Sequence, residues 1–154
     1  MTETERIKDQ LKRAFEGEAW HGPSVKEVLA GLDAQTATRK PIPNAHSIME
    51  LVHHMAGWAD VVRQRIDGHI VKEPAAGNFP RMAVANPENW NSSLEWLEST
   101  YNELQAAVAG LSELRLDEPV ASGSKSTIYG NLHGTIQHYL YHAGQIALLR
   151  KAGS

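Results

Sequence analysis

Apolar residues recur at three- and four-residue steps along nearly the whole chain. A period near 3.6 commits a sequence to helices that each bury one stripe. From Thr4 to Glu16 the stripe is Ile7, Leu11, Ala14 and Phe15. Gly17 to Pro23 interrupts it, and Ser24 caps a short continuation through Val25, Val28, Leu29 and Leu32. Asp33 to Ala45 holds two prolines and no period, which predicts a loop. Ser47, with Glu50 three residues on, has the form of a capping box. It opens a second long helix with Ile48, Leu51, Val52, Met55, Trp58, Ala59, Val62 and Ile66 on one face, ending near Gly68. Residues 71 to 87 contain three prolines and Gly77 and predict an irregular connection. A third helix is expected from about Pro87 to Leu111, carrying Trp90, Leu94, Leu97, Tyr101, Leu104 and Val108. After a further loop over 112 to 126, a fourth helix starts behind Ser126 or Thr127 and runs to Lys151. Its inward residues are Ile128, Leu132, Ile136, Tyr139, Ala143 and Ile146.

No alternating strand pattern of useful length competes with these stripes. Four amphipathic helices cover them most simply against each other, so the expected fold is all-α, a four-helix bundle with long connecting loops. With 154 residues, the chain is read as a single domain, 1–154, with one core. The connections before the second, third and fourth helices are long enough to pass over an end of the bundle and shape a pocket there.

Composition narrows the function classes. Lys and Arg are scattered and the net charge is −3, so no basic stripe points to a nucleic-acid partner. No stretch approaches the roughly 18 apolar residues of a membrane span. The N-terminus lacks the apolar core of a signal peptide, so a cytoplasmic protein is expected. There is no cysteine, which excludes disulfides and thiolate ligation and leaves His, Asp, Glu and backbone oxygen as metal ligands.

Histidine is the compositional oddity, with eight in the chain. His138 and His142 stand four residues apart on the fourth helix, about 40° apart around its axis and one turn along it. A borderline-soft divalent ion accepts two imidazoles so placed, and a pair of hydrogen-bonded histidines at a core edge has the same spacing. A third ligand is sought on the second helix. There His53 lies on the polar side near Met49, Glu50 and Asp60 and reads as a solvated neighbour. His54 sits at the edge of the apolar face among Leu51, Trp58 and Val61. His133 falls on the opposite shoulder of the fourth helix from the pair. His46 is expected to help cap the second helix, His21 to sit in a loop, and His69 to be exposed. Trp58, one turn beyond His54, is the tryptophan with a case for lining a site, and Tyr141 lies either toward a pocket or outward. Gln145 can orient a ligand or bind a neighbouring backbone. Glu50 can serve as an acceptor behind a metal ligand or as a base, with its cap role the default.

The stretches Ser-Ile-Met-Glu-Leu-Val-His-His-Met-Ala-Gly-Trp (47–58) and Gly-Thr-Ile-Gln-His-Tyr-Leu-Tyr-His-Ala-Gly-Gln-Ile-Ala-Leu-Leu-Arg-Lys (134–151) resemble the two signature segments of the DinB/YfiT-like superfamily. The Trp-His-Gly-Pro-Ser start at 20–24 and the His-Ser-Ile entry to the second helix match one branch of it. The resemblance implies a four-helix bundle, often a homodimer, in which His54, His138 and His142 surround a divalent metal. Zinc or nickel come first as cofactor, with iron also admissible. Members that do chemistry include transferases and isomerases that use a low-molecular-weight thiol. Three neutral imidazoles leave the ion its double charge and an open position, which can take a water or a substrate thiol. The expected function is therefore a metal-dependent enzyme acting on a small-molecule substrate, either a thiol-dependent S-transferase or a hydrolase. The alternative is a non-catalytic metal- or ligand-binding bundle protein of a stress response.

Overall fold

A computed structural model describes residues 1–82 and 84–154; residue 83, within the 71–87 connection, lies outside the described residues. Six α-helices follow in order: α1 (Glu3–Phe15), α2 (Val25–Leu29), α3 (Ala34–Thr38), α4 (Ile48–Ile66), α5 (Pro87–Ala109) and α6 (Ile128–Ala152). A 3-10 turn spans Glu113–Arg115. The four long helices are those expected from periodicity, and no strand occurs among the described residues beyond one isolated bridge between Pro119 and Thr127. No described helix is long and apolar enough to cross a membrane.

Helix starts follow local chemistry. Thr2, Ser24 and Ser47 each accept from the backbone N–H three residues on, and Glu5, Glu27 and Glu50 reach back to the cap N–H. Asn86 caps α5 with Pro87 in its first turn, and Thr127 caps α6. Glu50 is thus held in its capping box, and its other oxygen receives Lys40 Nζ at 3.0 Å. Asp33 to Ala45 departs from the expected loop. Asp33 accepts from Thr36 N–H and starts the five-residue α3, whose Ala34 and Ala37 are buried. One turn is too short to show a stripe, so the periodicity missed it.

α4 is the central helix. It packs on α5 and on α6, with α3 also against it. Twelve of its nineteen residues are buried, including Met49 on what the sequence read as the polar side. α1 packs against α5 and α6, and Phe15 joins the three: its ring stacks on Tyr101 of α5 at 4.0 Å and tilts against Tyr139 of α6 at 5.4 Å. The 71–82 segment does not cap an end of the bundle. It turns back along α4: Arg65 donates to the Val71 and Lys72 carbonyls, and Pro74 lies over Gly57. A Cβ at Gly57 would stand 2.9 Å from Pro74 Cβ, so the absence of a side chain there lets the segment lie on the helix. Asn78 and Phe79 then arrive beside the first turns of α4.

Candidate metal centre

His54 of α4 meets His138 and His142 of α6 across the α4–α6 seam. His138 Nε2 is 2.8 Å from His54 Nε2 and 3.0 Å from His142 Nε2. The three ligand atoms lie within 4.8 Å of one another, with His54 and His142 buried and His138 half-buried. Burial pushes the imidazoles of His54 and His142 below their ordinary range. His138 is pushed down to about 3, by burial first and then by the neighbouring His142 and His54. All three are neutral near pH 7, the form in which an imidazole nitrogen keeps a lone pair for a cation.

The outer ring nitrogens decide which lone pairs face inward. His54 Nδ1 is 2.8 Å from the Asn78 carbonyl oxygen, which only accepts, so Nδ1 carries the proton and Nε2 is bare. His142 Nδ1 donates in the same way to Gln145 Oε1 at 2.6 Å, baring its Nε2. His138 Nε2 can bring at most one proton to these two acceptors. The cluster is therefore short of protons and rich in lone pairs, the donor set of a borderline divalent cation. A tetrahedral ion spaces imidazole nitrogens by roughly 3.3 Å, a few tenths of an ångström more than the two separations from His138 Nε2, while the His54–His142 edge lies within 4.8 Å.

The surroundings hold His54 in place. Its ring stacks on Phe79 at 4.2 Å and 2°, and Phe79 stacks on His46 at 3.6 Å and 7° on its other face. His46 thus serves the far side of this stack, while Ser47 makes the cap. Trp58 Nε1 donates to Asn78 Oδ1 at 2.8 Å, tying the loop to α4. Gln145 acts on His142, one of the roles its spacing allowed. Tyr141 points outward with 65% exposure and only its ring edge near His142, at 5.0 Å. His21 and His69 are exposed, and His133 lies away from the pair, 3.9 Å from Glu3.

His53 departs from expectation. It is half-buried between α4 and α5, and its Nε2 meets Ser93 Oγ at 2.7 Å. Ser93 spends its own proton on the Asn89 carbonyl, so His53 is the donor. A solvated face was inferred for a helix with one buried stripe; α4 is packed on two sides, which buries its second side as well. Asn78 and Phe79 were missed altogether. They belong to a connection without period, and nothing local marks a residue whose backbone carbonyl or ring will reach a helix twenty or more positions earlier.

Beside the histidines a groove of about 450 Å³ runs between the two helices. His54, Trp58, Val62 and Arg65 line it from α4, Asn131, Gly134, Thr135 and His138 from α6, and Asn78 from the connection. If Gln145 sets the tautomer of His142, Gln145→Leu should weaken metal affinity by about 10- to 100-fold without changing the helix content. Competition against a metal-sensitive dye reads this directly, and an unchanged affinity would remove Gln145 from the site.

A helical bundle whose buried histidines can hold an ion between two of its long helices defines a class of metal-binding four-helix protein. A model of the DinB superfamily matches residues 20–146, most of the sequence, and the chain belongs to that superfamily. Among solved structures it is similar to a conserved protein from Enterococcus faecalis. That match has a TM-score of 0.74 and 17% identity, and it covers 99% of this chain and 97% of the other. At that identity the likeness speaks for the fold alone. No curated protein matches the sequence.

Proposed function

We propose that this protein is a divalent-metal-dependent enzyme acting on a small molecule, with His54, His138 and His142 as the ligands of the ion. The observation that carries this is the proton count: two bared Nε2 atoms face a third that can satisfy at most one of them. Three imidazoles and an open position are the pattern of a catalytic rather than a structural ion. When bound, the ion supplies a double positive charge that favours the anionic form of a thiol or a water beside it. The chain's own residues do the rest. The Asn78 carbonyl and Gln145 hold two rings in the tautomer that faces the ion, and Phe79 fixes the plane of His54. Trp58 and Val62 wall the groove where a substrate body would lie, a volume suited to a small molecule.

Between S-transfer and hydrolysis, the groove favours the thiol. Among the described residues no Asp or Glu lines it, so an attacking water would have to be ionised by the ion alone. A thiol can be ionised there in the same way, and it starts from a much lower pKa than water does. The same absence of a carboxylate base supports the second reading, a binder without turnover. Zinc-loaded protein incubated with glutathione, mycothiol or bacillithiol and a chlorinated or epoxide electrophile is expected to conjugate one of the thiols, and to stop on chelation. Rates that match the protein-free control with every thiol would rule out the transferase.

A further inference from the structure

Among the described residues Arg65 is the one charged side chain lining the groove, and none of their ion pairs involves it. Its guanidinium is held in place by neutral acceptors. Nε donates to the Val71 carbonyl at 2.9 Å, one terminal nitrogen to Asn131 Oδ1 at 2.7 Å, and the other to the Lys72 carbonyl at 3.2 Å. A guanidinium has five N–H donors, so two remain after these three bonds. Part-burial without a carboxylate works against the charge, and desolvation lowers its pKa. A positive charge fixed by carbonyls and left without a counter-ion beside a cavity is the arrangement of an anion receptor.

The groove connects that charge to the histidines. α4 and α6 run antiparallel here: His54 meets His138, and eleven residues on, Arg65 meets Asn131, seven residues before His138. Seven residues of α6 are about 10 Å of helix axis. Gly134 lies between those levels with no heavy atom within 4 Å of where a Cβ would stand, so the groove is open there. The Asn78 side-chain oxygen is taken by Trp58, which leaves its amide N–H groups for the groove. A phosphate dianion would call for a second cation, and among the described residues no lysine or other arginine lines the groove.

We propose that Arg65 binds the carboxylate of the substrate, a small monoanion whose reactive end reaches the histidine cluster about 10 Å away. This rests on the metal-centre reading only for the reactive end; the carboxylate contact stands on Arg65 itself. The probes are 6-mercaptohexanoate and 6-mercaptohexanol, which share a thiol and a chain long enough to span the groove and differ at the far end. In calorimetric titrations of zinc-loaded protein the acid is expected to bind at least tenfold more tightly than the alcohol. Arg65→Gln should bring the two within twofold, while Arg65→Lys keeps part of the difference. Gly134→Leu places a side chain in the open stretch of the groove, on a helix position that leucine suits. It should weaken the acid at least tenfold while metal content stays at the wild-type level, which keeps a test in hand if Arg65→Gln does not fold.

Equal affinities in wild-type protein, an acid preference that survives Arg65→Gln, or unchanged acid binding in Gly134→Leu would each overturn the carboxylate site. The metal reading fails separately. On metal-free protein, hexanoate and not hexanol should move the Arg65 Nε–H resonance. That shift appearing in protein that takes up no zinc would discard the metal centre and keep the carboxylate site; its absence would overturn the site.

Discussion

Wild-type protein is expected to carry one divalent ion per chain, and the double variant His138→Ala/His142→Ala none. Removing a group behind a ligand already costs about 10- to 100-fold in affinity, so removing two of three ligands should exceed that. The loss also appears in stability. An ion present at about 1,000 times its dissociation constant stabilises the folded state by roughly 4 kcal/mol. In a protein of this size that is on the order of 8 to 16 °C in Tm. Chelation should therefore lower the wild-type Tm by such an amount and leave the double variant unmoved. His54→Ala should behave like the double variant. His53→Ala should retain the ion, because its ring is turned to Ser93 on α5. Elemental analysis after dialysis, paired with thermal melts, checks all four proteins. Equal, substoichiometric metal in wild type and double variant would leave the cluster as three packed histidines.

Phe15→Ala should be the most damaging single change far from the site, costing about 3–5 kcal/mol. Phe15 is 1% exposed and closes α1 onto both α5 and α6 through Tyr101 and Tyr139. Truncation leaves a cavity at a junction of three helices, where no single neighbour can move in to fill it. Urea unfolding would read the loss as a fall in the midpoint with little change in slope. The outcome has meaning for the fold, since α1 precedes the residues matched to the superfamily, 20–146. A loss below about 1 kcal/mol would mean that α1 docks loosely and that the core closes without it.

The candidate site was legible in part, and the boundary follows the range of the signals. His138 and His142 are related by helix geometry alone, since four residues on a helix bring two rings to one face wherever the helix lies. His54 was separated from His53 by its place on the apolar edge of α4, and the structure does bring His54, and not His53, to the pair. The same wheel misjudged the surroundings of His53, because a wheel assumes one buried stripe and α4 has neighbours on two sides. Trp58 stood on the expected apolar face, yet it is half-buried and spends its N–H on Asn78 at the rim of the groove.

The sequence by itself determined the four long helices, the Ser47 capping box and the shared face of His138 and His142, because periodicity and capping act within a few residues of chain. The tertiary structure decided which nitrogens are bare, what holds the rings, and where the groove leads. Those depend on the Asn78 carbonyl and the Phe79 ring coming back along α4, and on Arg65 finding Asn131 across the α4–α6 seam. A backbone carbonyl looks the same at every position of a sequence. Only the path of the chain in space selects the one that meets a histidine.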